Sequence, residues 1–270
     1  YYIATGYHRL KSTCKTTYQS SDSIVEKSVF AYDTERPYNI ISKSSLCSGG
    51  AEQVERTYYS NNTIPDKEFL TTSQRSAIQL LTSRNYLTTP VQQTMEKKDK
   101  RLYSVLRGYS SSLSSGMVVE DQYYCKGTDK YEKRISYNKY DIYGNPVYIN
   151  KDGAEKVVYL WGYKGQYLLA EIKGATYEEV KKALMVDPAS MSSCILPSMP
   201  LYLDMIDNLY KALPSALITS YTYHPLIGIS GIISPNKAKT TFEYNSDSQL
   251  IRIKDTEGKT MEEYQYHFRP

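Results

Sequence analysis

The chain has 270 residues and a net charge of +4, with acids and bases intermixed. That length can bury a sizeable core, in one large or two ordinary domains. No run of five or six like charges occurs, which excludes the clustered basic stripe of a nucleic-acid binder, and no apolar stretch is long enough to span a bilayer as a helix. Tyrosine dominates the composition, with 29 residues against four Phe and one Trp. Tyr, Thr, Val and Ile favour a pleated, half-buried surface, so the first expectation is a mostly β protein.

The chain opens at Tyr1 in residues that read as strand, with neither signal peptide nor lipidation motif. It reads as a portion of a longer polypeptide, which makes the rest of the parent chain one expected partner. Ser28–Asp33 reads as a strand entering a turn, and Val54–Tyr59 and Ser83–Tyr86 read as further strands. Ser76–Ser83 has the length of a short helix, but it is closely flanked by Ser and Thr and reads as strand or irregular. The densest charge cluster, Glu96–Arg101, reads as a solvated turn or strand edge.

From Tyr137 the signals sharpen. Tyr140-Asp141-Ile142-Tyr143-Gly144-Asn145-Pro146 is a turn, with Gly and Asn where left-handed backbone is cheap. Val147–Ile149 and Val157–Trp161 are strands joined through Lys151-Asp152-Gly153, a strong hairpin signal. Thr176 and Glu179 form a capping box, and apolar residues at Leu201, Met205, Ile206, Leu209 and Leu213 follow helical spacing up to Pro214. Residues 175–215 thus read as a two-helix insertion with an irregular, proline-bearing linker. It lies between degenerate β-hairpins over 1–174 and further hairpins over 216–270. In the last segment Thr241–Tyr244, Leu250–Lys254 and Met261–Phe268 read as strands, with turns at Asn245–Ser248 and Asp255–Gly258.

Aromatic pairs two residues apart point to one face of a strand. Tyr221 with Tyr223, Phe242 with Tyr244, and Tyr264 with Tyr266 and Phe268 recur about every twenty residues. Such recurrence is a repeat signature. Cross-strand packing explains it most economically, at about 0.2–1 kcal/mol per pair. Exposed tyrosines also suit sugar rings or protein partners, being large, stiff and amphipathic. On that reading the binding-surface candidates are Tyr140, Tyr159, Trp161, Tyr163, Tyr223, Tyr244 and Tyr266.

Signals for catalysis are weak. Cys14, Cys47, Cys125 and Cys194 include no CxxC, so a zinc site of ordinary spacing is not expected. The thiols are read as unpaired small hydrophobes rather than staples. His8, His224 and His267 are the only histidines. The last two follow Tyr at matching repeat positions, and a metal pair there would want a third ligand. No P-loop, dinucleotide fingerprint, His-Glu-x-x-His or Gly-x-Ser-x-Gly occurs, and Ile227–Gly231 reads as a strand with bulge glycines. Glu178-Glu179 reads as helix capping, and Asp204 with Asp207 as an exposed helix face. No cofactor or metal is expected.

The motif Tyr140–Pro146 resembles the YD motif of the RHS (rearrangement hotspot) repeat proteins. Tyr159-Leu160-Trp161-Gly162-Tyr163, Gln166-Tyr167, Ala170-Glu171, the helix at Tyr177 and Tyr221–Gly228 are similar to a form found in Bacteroidetes members of that family. The likeness covers 137–270 and extends more loosely over 1–136. Departures include Asn245 in place of Asp, Ser248-Gln249 in place of Gly-Arg and Asn236-Lys237 in place of Asn-Gly. Tyr32–Pro37 lacks the glycine and is one residue short. The resemblance implies hairpins wound side by side into a spiralling sheet, which in relatives can close around a C-terminal toxin. It also implies secretion or display on the bacterial cell surface, at the outer membrane. Toxin-bearing relatives carry an aspartate-rich self-cleavage segment after the repeats; neither it nor a toxin is found before Pro270.

These readings converge on a mainly β chain of antiparallel β-hairpin repeats in a spiralling, curved, YD-shell-like sheet with a two-helix insertion. The expected role is a non-catalytic scaffold, shell wall or adhesin with an unknown protein or glycan partner. The alternatives are a carbohydrate-binding surface built from exposed tyrosines, or a carrier shell for a toxin enzyme outside this segment. An open hairpin array leaves two edges, and the helices are expected to cover an edge or mouth.

Overall fold

The structure is a computed structural model that describes residues 8–19, 22–46, 50–112, 116–193 and 199–267. The protein is mainly β. Its 16 strands follow one another in sequence order across one open sheet, and every register defined between neighbours is antiparallel. Sequential hairpins are the simplest way to satisfy strand backbone groups, since each turn brings the partner strand with it. The chain divides into two compact units, residues up to 112 with 117–135, and 113–116 with 136–270.

The first unit opens with β1 (Ser12–Gln19), β2 (Asp22–Tyr32), β3 (Ile40–Leu46) and β4 (Glu52–Tyr59). A helix, α1 (Thr72–Ser83), then precedes β5 (Pro90–Lys97), β6 (Lys100–Ser112) and β7 (Gly116–Lys126), and β8 (Glu132–Tyr140) begins in the first unit and ends in the second. The cluster Glu96–Arg101 is the β5–β6 hairpin, with Lys98 and Asp99 both at positive φ.

The helix α1 corrects the reading of 76–83 as strand or irregular, and of Ser83–Tyr86 as a strand. Thr71 and Gln74 form a reciprocal capping box. Gln74, Ala77, Ile78 and Leu81 fall at i, i+3, i+4 and i+7 and are buried against Val91, Leu106, Tyr109 and Tyr123. A polar residue occupies the first of those core positions, which hides the stripe in the sequence. Gln74 is satisfied there: its amide donates to Glu120 Oε2 at 2.9 Å and Asp121 Oδ2 at 3.1 Å, and its carbonyl accepts from Tyr123 at 3.3 Å. Gly108 leaves the room, since a Cβ at that position would collide with the Gln74 amide. After α1 the chain turns through Asn85 at φ 64°, leaving Tyr86 exposed.

The second unit carries β9 (Pro146–Lys151), β10 (Glu155–Gly162) and β11 (Tyr167–Lys173), then the helices α2 (Tyr177–Leu184) and α3 (Met199–Ala212). It closes with β12 (Leu217–His224), β13 (Gly228–Ile233), β14 (Lys239–Tyr244), β15 (Leu250–Lys254) and β16 (Thr260–Glu263). The linker between the helices is more regular than expected, with a 3-10 turn at Pro188–Ser193. The final strand is shorter than the expected 261–268: β16 ends at Glu263, although the Tyr264 N–H still donates to Ile251 O at 2.9 Å. Phe268 lies outside the described residues.

The capping box at Thr176 forms as the sequence implies, with Glu179 Oε2 accepting from the Thr176 N–H at 2.7 Å. The helices cover a face of the sheet rather than an edge. Val180, Ile206 and Leu209 pack with Val158, Leu160, Leu169, Ala170, Ile172 and Ile218 from β10, β11 and β12. Those strands are interior in the strand order, and their apolar side chains on that face require cover from water. Asp204 and Asp207 are both exposed, as an outer helix face requires.

Candidate functional site

The recurrent chemical feature of the molecule is an aromatic at, or within three residues of, the end of alternate strands. In the first unit the Tyr32 hydroxyl donates to Leu10 O at 3.0 Å, Tyr59 to Ile40 O at 2.9 Å and Tyr109 to Pro90 O at 2.8 Å. In the second unit Trp161 Nε1 donates to Pro146 O at 2.8 Å, Tyr223 to Leu168 O at 2.7 Å, Tyr244 to Ile229 O at 2.9 Å and Tyr266 to Leu250 O at 2.8 Å. Each reaches back to a carbonyl within two residues of the start of the preceding strand.

Registry explains why the contact repeats. Tyr32 pairs with Ile40, whose carbonyl takes the phenol of Tyr59; Tyr59 pairs with Pro90, whose carbonyl takes that of Tyr109. Likewise Trp161 pairs with Leu168, Tyr223 with Ile229 and Tyr244 with Leu250, and those carbonyls accept from the next aromatic in line. A register shift falls immediately before Tyr32, Tyr59, Trp161, Tyr223 and Tyr244, the extra residue sitting on the following strand. A bulge of this kind bends the strand and re-aims its side chains. At β12–β13 the residue passed over is Ser230, beside the Gly231 expected at a bulge.

The residue after the aromatic often caps the turn. Asp141 Oδ1 accepts from the N–H groups of Tyr143 (2.9 Å) and Asn145 (2.8 Å), and Asn245 Oδ1 does the same for Asp247 and Gln249. Asn245 therefore keeps the geometry expected of an Asp. Asp33 Oδ1 accepts from Glu35 and Arg36, and the bond to the Arg36 N–H leads in holding its carboxyl below the usual range. The Asp33 turn is longer, not shorter, than that at Asp141: its closing bond runs to Asn39 O, against Asn145 O.

The sequence candidates occupy defined places. Tyr140 is half-buried at the end of β8, with its ring 6.1 Å from that of Tyr137. Tyr159 lies opposite Glu171; burial first, then that carboxylate, pushes its phenol up to about 12. Tyr163 packs edge-on to Tyr167 at 5.1 Å, and Tyr167 lies 4.6 Å from Tyr223. Burial raises Tyr223 to about 12. Tyr244 meets His224 edge-on at 6.3 Å. Among the seven candidates Tyr266, at 45% exposure, is the exposed one; the other six are half-buried. Tyr32, Tyr59 and Tyr109 join the ladder although sequence reasoning did not select them. For Tyr32 and Tyr59 the detectable signal was an aromatic at the last strand position before a polar turn; Tyr109 lies three residues inside the end of β6 and carried no such signal.

Among the described residues no group of three or more His, Cys, Asp or Glu side chains could hold a metal ion. Cys14 is exposed and free, Cys125 buried and free, and Cys47 and Cys194 lie outside the described residues. Among the described residues no helix is long and apolar enough to cross a membrane.

Fold and contacts together define a class: an antiparallel hairpin ladder with its rungs tied by aromatic donors. No protein-family model and no curated protein matches the chain. Among solved structures it is similar to a Photorhabdus luminescens Tc holotoxin pore, at 11% identity and TM-score 0.35, over 88% of this chain and 13% of that one. It is similar also to TcdB2-TccC3, at 11% identity and TM-score 0.31, over 84% and 12%. TcdB2-TccC3 without its hypervariable C-terminal region gives 8% identity and TM-score 0.34, over 88% and 15%. The chain thus spans less than one-sixth of the length of these structures.

Proposed function

We propose that this chain is a non-catalytic structural module of a secreted or surface-displayed bacterial repeat protein of RHS type. The observation that carries the reading is the aromatic contact repeated on alternate strands. It commits phenol and indole donors to main-chain carbonyls, which serves a scaffold or wall. The motif Tyr140–Pro146 supports the same reading through its likeness to the YD turn. Scaffold, shell wall and adhesin share this requirement for a long sheet that holds its register.

The test is localisation with integrity in the cells that make the protein. Antibody to this segment should label intact cells or the culture medium, and external protease should remove the cell-bound signal. Signal confined to lysed cells would overturn the reading. Turnover by the purified chain of a substrate that it also binds saturably would overturn the non-catalytic part.

A further inference from the structure

An open groove in the first unit does not involve the phenols that donate to strand carbonyls. It lies between the β2–β3 turn, the middle of β4 and the loop after β4, with a volume of about 530 Å³. Its charges cancel, Asp33 and Glu35 against Arg36 and Arg56. The guanidiniums are positioned before any ligand arrives. Arg36 donates to Glu35 at 3.3 Å and, in the amide orientation that satisfies both ends of Asn61, to that side chain at 2.8 Å. Arg56 Nε donates to Glu96 at 3.2 Å.

Beside these fixed groups stand uncommitted ones. Thr34, Ser42 and Thr63 line the groove, and their hydroxyls make no hydrogen bond among the described residues; Ser42 pairs with Arg56 and so shares its face of the sheet. The Tyr58 phenol likewise has no partner there, while its ring rests against the apolar cluster beneath α1. A wall that is neutral in sum, rich in both donors and acceptors, and supplied with an aromatic ring complements a polyhydroxyl ligand. Sugar hydroxyls donate and accept at once, and their C–H faces pack on aromatic rings. A phosphate-like anion would instead want a net positive lining.

We propose that this groove binds a neutral oligosaccharide. The proposal is independent of the scaffold reading, which concerns the sheet as a whole. The test is calorimetric titration of the full chain with cellotetraose, maltotetraose and chitotetraose, with tetragalacturonate as the acidic comparison. At least one neutral tetrasaccharide should bind at a single site. The double variant Ser42→Ala/Thr63→Val removes hydroxyls without internal partners, so it should fold as the parent does and bind about tenfold more weakly. Arg56→Gln should weaken binding by at least as much, whereas Tyr18→Phe, at an exposed ring outside the groove, should leave affinity unchanged. Silence with every neutral sugar, tighter binding of tetragalacturonate than of all three, or undiminished affinity in the Ser42→Ala/Thr63→Val chain would each overturn the proposal.

Discussion

A tyrosine in this sheet differs from a phenylalanine by one hydrogen bond, and that bond is repeated along the strand order. The Tyr223 phenol donates to Leu168 O at 2.7 Å from a half-buried position. Tyr223→Phe keeps the ring and removes the donor, leaving a carbonyl short of a partner. The expected cost is about 1 kcal/mol, read as a lower urea midpoint with unchanged slope. Tyr18, 80% exposed, is the comparison: its Phe variant should stay within about 0.5 kcal/mol of the parent.

Ionisation offers a second residue-scale test. Tyr159 and Tyr223 hold their protons to about 12, chiefly through burial. Unfolded tyrosines ionise near pH ~10. The folded state thus binds these protons more tightly, so the associated stability is complete below pH ~10 and is lost as pH rises toward about 12. Phenolate absorbance should rise first for exposed rings, and the late fraction should appear together with loss of the β circular dichroism. A single early absorbance step involving every ring, with the fold intact, would contradict this.

In the turns that begin at Asp141, Asn245 and Asp255 the third following position is left-handed: Gly144 at φ 86°, Ser248 at 62° and Gly258 at 81°. Serine pays a Cβ clash there that glycine avoids. Ser248→Gly should therefore stabilise the chain by about 0.5–1 kcal/mol, visible as a higher melting temperature; a lower one would show that the Ser248 side chain contributes something the turn geometry does not explain. Helix ends follow equally local rules, which is why the Thr176 box was legible from two residues. The Thr71 box uses the same chemistry but was passed over, because Gln74 disguised the apolar stripe behind it.

Across the whole molecule, strands in sequence order leave β1 and β16 as the ends of the ladder, while the interior strands β10–β12 lie under α2 and α3. The helices therefore act as a lid on apolar side chains. Leu209 is fully buried there, so Leu209→Ala should cost about 2–5 kcal/mol in chemical denaturation. Replacing 176–213 by a short linker should expose Val158, Leu160, Leu169 and Ile172, and light scattering should show aggregates. A soluble, unchanged monomer would count against the lid.

Sequence by itself determined the hairpin grammar, because turns, caps and strand alternation depend on residues a few positions apart. Asp141, Asp152-Gly153, Thr176 and Asp255 could each be read in place, and with them the antiparallel β class. The tertiary structure alone decided what α1 covers, which face the helical insertion occupies, and which carbonyl each phenol reaches. It also assembled the groove at Arg36 and Arg56 from a turn, a strand and a loop. Those outcomes depend on registry between strands and on bulges that shift it by one residue. A one-residue shift moves a side chain to another partner without leaving any mark in the local sequence.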